Sequence, residues 1–341
     1  MFVSDNVSCA CPEVMKAIEA ANQSDAVAYG GDEATLSLNR AFSVYFEKEA
    51  VGFPVGSGTA ANALALALVA PRLSAIYCHE RAHIETTECG ATEAWTGGAK
   101  LSLLPGEQGR IDIDCLRAAL RNLPRGRPQS ALPSAVSITQ GTEAGTIYLV
   151  EQIAEIASLA HEYGLRVHMD GARFSNALVA LGCSPANMTW RAGVDILSYG
   201  ATKNGGLSAE AVVIFNSELT QHEGFLRRRN GQLYSKMRFL SVQLLAMTSN
   251  GIAERNALNA NAMASRLTQG LVRIPGTWLL HPVEINEIFI SLPELVRERL
   301  AARGYVAQLR GFPDEPHFRF VTAWNSSVEA VDAFIAAAAE T

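Results

Sequence analysis

Residues 165–173 read Leu165-Arg166-Val167-His168-Met169-Asp170-Gly171-Ala172-Arg173. Residues 165–169 have the composition of a buried strand, and Asp170-Gly171 ends it. Upstream, residues 152–163 carry apolar side chains at 153, 156, 157 and 160, the spacing of a helix, and Gly164 stops it. Further strands are predicted at 73–78, 135–139, 194–198 and 212–215, and an Ala/Leu-rich helix at 60–69. Strands alternating with helices predict an α/β fold on a mostly parallel sheet. From about residue 239 the pattern changes to one long helix reaching about 272, a strand at 287–292, a helix at 293–303, and strands near 306–309 and 319–322. The expected division is a large α/β domain over residues 1–240, followed by 241–341 with the linking helix and a small C-terminal α+β domain.

Composition narrows the class of function. The chain has 341 residues, a formal charge of −6, 48% hydrophobic and 18% charged residues, which suits a folded protein with a sizeable core. An acidic balance argues against nucleic acid as the main partner, since phosphate binding needs a basic face. The short basic runs at 125–127 and 227–229 are read as solvated or intersubunit faces. Six cysteines without a CxxC pair suit reduced thiols, and Cys9 with Cys11 lacks a second pair to complete a metal site. No apolar run approaches the roughly 20 residues of a membrane span, and the N-terminus lacks a signal-peptide pattern. A cytoplasmic, soluble protein is expected.

In open parallel sheets, ligands bind at the carboxyl ends of the strands. Gly56-Ser57-Gly58-Thr59 precedes an apolar helix, a setting that suits a single phosphate group; it is neither a Walker loop nor a dinucleotide fingerprint. His79-Glu80-Arg81-Ala82-His83 matches HExxH, but it follows a strand and lacks the metzincin third ligand. Tyr199 and Lys203 match YxxxK without the accompanying nucleotide loop. Asp170 ends one strand, and Lys203 follows another among small residues, where a lysine can be desolvated and nucleophilic. Together they fit pyridoxal phosphate: Lys203 for the Schiff base, Asp170 for the pyridine nitrogen, Thr59 for the phosphate and His83 for the ring face. The competing reading is a structural Asp170–Lys203 ion pair.

At these residues the sequence resembles the L-threonine aldolases of the β-eliminating-lyase group, which are fold-type I pyridoxal-phosphate enzymes. The resemblance rests on Ser4-Asp5-Asn6, Tyr29-Gly30-Gly31-Asp32, residues 56–62, His83 with Glu88, Asp170-Gly171-Ala172-Arg173 and Lys203-Asn204-Gly205. It implies a fold-type I large domain and pyridoxal 5'-phosphate as cofactor, with no metal. It further implies Lys203 as the Schiff-base lysine, Gly58 and Thr59 at the phosphate, Asp170 at the pyridine nitrogen and His83 on the ring. Ser4, Arg173 and Arg319 would hold the substrate carboxylate. Tyr29 and Arg238 would come from a neighbouring subunit of a homo-oligomer, a dimer of dimers.

The family often carries an Asn-Thr-His-Asn-Gly segment whose histidine reaches the substrate hydroxyl. Here the segment is Gln140-Gly141-Thr142-Glu143-Ala144-Gly145, with Glu143 in that place. The implied reaction cleaves the Cα–Cβ bond of a β-hydroxy-α-amino acid to glycine and an aldehyde, with His83, Glu88 or Glu143 serving the β-hydroxyl. The rival reactions on the same cofactor are β-elimination and transamination.

Overall fold

The computed structural model describes residues 2–122, 130–305, 308–310 and 317–339. The basic run at 125–127 and the start of the strand expected near 306 lie outside them. Seven strands form the main sheet: β1 (Val51–Val55), β2 (Ser74–His79), β3 (Lys100–Leu104), β4 (Leu132–Thr139), β5 (Arg166–Gly171), β6 (Ile196–Gly200) and β7 (Glu210–Ile214). Their order is β1-β7-β6-β5-β4-β2-β3, and β7 alone runs against the other six. β5 lies at the centre, so Asp170, at its carboxyl end, is held in the most buried part of the sheet. The fold class expected from the strand–helix alternation is borne out.

β1 was not legible because Gly52 and Pro54 interrupt its β-branched pattern. Its edge position tolerates the proline, and the glycine is required by close packing: a Cβ there would stand 2.2 Å from the Phe42 ring. Phe42 lies on the helix Glu33–Tyr45, which packs with Phe46, Phe174 and Tyr199 into one aromatic cluster. Tyr199 of the YxxxK match is therefore a fully buried core residue.

A second sheet follows near the C-terminus: β8 (Trp278–Leu279), β9 (Glu287–Ser291), β10 (Gln308–Arg310) and β11 (His317–Val321), antiparallel in the order β10-β11-β9-β8. Phe2 packs into its core, and the N-terminal segment joins it where Val321 N–H donates to Phe2 O. This attachment carries Ser4 and Asp5 to the junction of the two sheets.

The single long helix expected over 239–272 is two helices, Arg238–Met247 and Ile252–Leu271. Asn250 and Gly251 both take positive φ, and Ser249 Oγ donates to Leu245 O, which closes the first helix. Ile252 and Ala253 pack in the large core, whereas Met263, Leu267 and Leu271 pack under the second sheet, so the second helix joins both cores. No described helix is long and apolar enough to cross a membrane.

Candidate active site

The helix Gly58–Val69 starts immediately after β1, with Ser57 as its cap: Ser57 Oγ accepts from Ala60 N–H. Its first N–H groups, at Gly58 and Thr59, have no carbonyl a turn earlier to meet. Nothing lies within 4 Å of where a Cβ on Gly58 would stand, so this helix end opens directly onto a cavity. The cavity, of about 250 Å³, runs from Gly56–Thr59 to Asp170, Ala172 and Lys203, with Asn62, His83 and Glu88 along it. A second lobe of about 400 Å³ shares His83 and Lys203 and adds Ser4, Glu143, Arg173, Glu287, Phe289 and Arg319. Ten of the twelve sequence-expected site residues thus surround two lobes of one site.

Lys203 sits in the turn Thr202–Asn204 just beyond β6, and no described residue forms an ion pair with it. Asp170 therefore does not pair with it. The Asp170 carboxylate is buried and held by neutral donors, Ala172 N–H at 2.9 Å and Asn62 Nδ2 at 2.9 Å. The structural ion pair is replaced by two functional groups facing one cavity from neighbouring strands. A further anchor sits beside the lysine. The buried Glu210 accepts from Ala201 N–H at 2.7 Å, and burial pushes its carboxyl up to about 7.

His83 begins the short helix His83–Thr86 and its Nδ1 is 2.8 Å from Glu88 Oε1. That hydrogen bond raises the imidazole above its ordinary value despite burial. The HExxH match does not form a metal-binding helix face. His79 is the last residue of β2, with Nε2 3.1 Å from Gly106 O and Nδ1 accepting from Arg81 N–H.

Arg173 is gripped by acids. Its Nε donates to Asp5 Oδ2 at 2.8 Å, Nη2 to Asp5 Oδ1 at 3.0 Å, and Nη1 is 2.8 Å from Glu287 Oε2. Burial opposes the Asp5 carboxylate, but Arg173 and Lys203 outweigh it and its pKa falls. Arg319 Nη1 is 3.6 Å from Glu287 Oε1. Asp5, Glu287 and Asn62 were given no role by sequence reasoning; Asp5 within Ser4-Asp5-Asn6 and Asn62 at the end of residues 56–62 stood inside the motifs that carried the resemblance, whereas Glu287 stood in none.

Glu143 is fixed by the loop after β4. Its Oε1 accepts from His83 N–H at 2.7 Å and from Thr139 Oγ1 at 2.9 Å. The loop is cross-tied by Thr142 N–H to Thr146 O, and Gln140 makes two hydrogen bonds with the Tyr148 backbone.

Tyr29 and Arg238 line neither lobe within one chain. Tyr29 is half exposed with Arg228 over its ring, and Arg238 Nε donates to Ala21 O. In the basic run at 227–229, Arg227 is not a solvated residue. It is buried over the Phe53 ring and paired with Glu223.

A mixed sheet with one reversed strand, a lysine beyond β6, an aspartate ending β5 and a helix N-terminus between them define a fold-type I architecture. The chain belongs to the β-eliminating lyase family, whose sequence model matches residues 2–294. Among its relatives, the low-specificity L-threonine aldolase of Pseudomonas aeruginosa is 40% identical over 331 residues, covering 97% of this chain and 94% of that one. A second, from another Pseudomonas species, is 39% identical over 326 residues, covering 95% and 93%. The solved threonine aldolase of Leishmania major superposes with a TM-score of 0.92 at 25% identity, covering 99% of this chain and 98% of that one. The family resemblance drawn from the motifs is borne out.

Proposed function

We propose that the chain is a pyridoxal-phosphate-dependent lyase that cleaves the Cα–Cβ bond of β-hydroxy-α-amino acids of the threonine, allo-threonine or phenylserine type, yielding glycine and an aldehyde. The observation that carries this reading is Asp170: a buried carboxylate at the end of the central strand, with no cation paired to it among the described residues, facing the same cavity as Lys203. A protonated pyridine nitrogen is the partner such a carboxylate needs.

The donors fit the rest of the cofactor. Gly58 and Thr59 N–H groups would take the phosphate with the help of the helix dipole. His83, braced by Glu88, would lie against the ring, and Lys203 would supply the amine that carries the cofactor. Bound pyridoxal phosphate would supply an electron sink for the pair released at Cα. Arg173 gives two of its five N–H groups to Asp5 in hydrogen bonds and meets Glu287 through Nη1 as an ion pair, which leaves N–H groups for a ligand. With Arg319 and Ser4 it would clamp the substrate carboxylate, which fixes the orientation of the Cα–Cβ bond. Lys203 would return a proton to Cα and so complete glycine.

The enzyme is proposed to work as a cytoplasmic homo-oligomer, a dimer of dimers, because Tyr29 and Arg238 would reach the site only from a neighbouring copy. The test is a product assay with L-threonine, L-allo-threonine and phenylserine. Equimolar glycine and aldehyde are expected, and Lys203→Ala should abolish both. A keto acid with ammonia as the main products would overturn the aldolase reading.

A further inference from the structure

Three side chains of the site can exchange a proton near the substrate: His83, Glu88 and Glu143. Their surroundings separate them. His83 Nδ1 and Asn62 Nδ2 both converge on Glu88 Oε1, so Glu88 is turned toward the cofactor lobe and engaged by two donors there. His83 is the ring-facing group and its proton is stabilised by Glu88. Glu143 stands on the other side of His83, in the substrate lobe. Its Oε1 is taken by His83 N–H and Thr139 Oγ1, whereas its Oε2 is shut off from bulk water with no hydrogen-bond partner among the described residues. Glu88 Oε2 is in the same state, so the difference lies in place: Glu88 lines the cofactor lobe and not the substrate lobe, and Glu143 lines the substrate lobe and not the cofactor lobe. An unpaired buried carboxyl oxygen is unfavourable unless something arrives to meet it.

We propose that Glu143 Oε2 is the catalytic acceptor of the substrate β-hydroxyl proton, with His83 reserved for the cofactor face. This rests on the aldolase reading above. The step balances without any redox partner: the O–H proton passes to Oε2, the O–H electron pair becomes the second C–O bond of the aldehyde, the Cα–Cβ bond breaks and its pair stays on Cα. The proton then returns through water, so that the net change moves one proton from oxygen to Cα.

Burial, reinforced by Asp170, pushes Glu143 up to about 7, which makes it a better base at neutral pH than an ordinary glutamate. The other groups facing it are His83, Arg173, Tyr148 on the same loop and Cys78 on β2.

The test uses Glu143→Gln, which keeps an acceptor oxygen for His83 N–H and Thr139 but cannot take a proton. Aldehyde release should fall about 10²–10⁴-fold in kcat with KM changed only a few-fold. Exchange of the glycine α-proton with D₂O, which needs no β-hydroxyl base, should persist. The infrared protonated-carboxyl absorbance that titrates near pH 7 in the cofactor-free wild type should lose the Glu143 contribution in the variant while that of Glu210 stays, so the wild-type-minus-variant difference spectrum should carry one such band. Glu143→Asp, which withdraws the carboxyl by one methylene, should give an intermediate rate and covers the case in which the glutamine variant does not fold. Cleavage within about threefold of wild type in Glu143→Gln would overturn the proposal while leaving the aldolase reading intact. So would a rising pH limb of kcat that survives in Glu143→Gln and disappears in His83→Asn. Absence of aldehyde from the wild type itself would overturn both.

Discussion

Asn62 and Asp170 meet through one hydrogen bond, Nδ2 to Oδ2 at 2.9 Å, and the same nitrogen is 2.9 Å from Glu88 Oε1. One neutral amide therefore couples the aspartate proposed for the pyridine nitrogen to the glutamate that braces the ring histidine. The three acceptors and donors lie on separate elements, the helix Gly58–Val69, β5 and the loop before the helix Ala91–Thr96. Their mutual position is set by this contact as well as by the backbone.

Loss of the amide should loosen the cofactor. A hydrogen bond to a charged group contributes about 1.5–3 kcal/mol, or roughly 10–100-fold in affinity. Asn62→Ala is expected to weaken pyridoxal-phosphate binding by that factor. Asn62→Asp should be worse, because it sets a third carboxylate between Glu88 and Asp170. Titration of the cofactor-free protein by absorbance measures both, and an Asn62→Asp affinity equal to wild type would show that the amide does not organise the site.

Much of this arrangement was legible because its chemistry is local. Asp170 ends one short buried strand and Lys203 lies in the turn just beyond another, and Gly58-Thr59 opens a helix of unmistakable Ala/Leu composition, so strand, loop and helix could be placed from short windows. Asn62, Asp5 and Glu287 were not legible, since their partners lie 108, 168 and 114 positions away (170 − 62, 173 − 5 and 287 − 173). No periodicity reports a contact of that span. The break at Ser249-Asn250-Gly251 was hidden for a different reason: the residues on both sides keep helical spacing, and only the turn chemistry of Asn-Gly marks the stop.

Arg173 and Arg319 are expected to behave differently when removed, although both are proposed to hold the substrate carboxylate. Arg173 is the counter-ion of buried Asp5 and the nearer cation to buried Glu287, so Arg173→Ala leaves Asp5 with the neutral Asn286 amide and Glu287 with the longer Arg319 contact. Breaking one side of a buried pair typically costs about 3–5 kcal/mol. A marked fall in the urea midpoint is predicted, together with loss of activity. Arg319→Ala leaves Glu287 paired with Arg173 and should mainly raise KM, by about tenfold, with a smaller change in the midpoint. Parallel urea melts and steady-state kinetics separate the two effects; equal destabilisation by both variants would contradict the asymmetry.

Arg173→Lys sharpens the same point. Lysine keeps the positive charge but lacks the planar fork that meets Asp5 with two parallel hydrogen bonds. The variant should recover part of the urea midpoint lost in Arg173→Ala while KM stays high. Recovery of both would mean that charge alone, without the fork, positions the substrate.

The acid limit of stability should owe a share to His168, which lies in β5 two residues before Asp170. It is fully buried between Ser137 Oγ, 2.9 Å from Nδ1, and Ser198 Oγ, 3.0 Å from Nε2. Burial lowers its pKa from 6.5 to about 4. Between those values the unfolded chain binds the proton and the folded chain does not, so stability falls as pH drops through the window from 6.5 towards 4. Above 6.5 both states are neutral and the group adds no pH dependence. The predicted loss from this residue is roughly 2–3 kcal/mol between about pH 7.5 and 4.5. His168→Asn removes the titration, so the difference in unfolding free energy between those two pH values should shrink by that amount, measured by urea denaturation at each pH. An unchanged difference would place the acid sensitivity of this window in groups other than His168; Asp5, whose carboxyl is held below its ordinary value, loses its stabilising charge only at still lower pH.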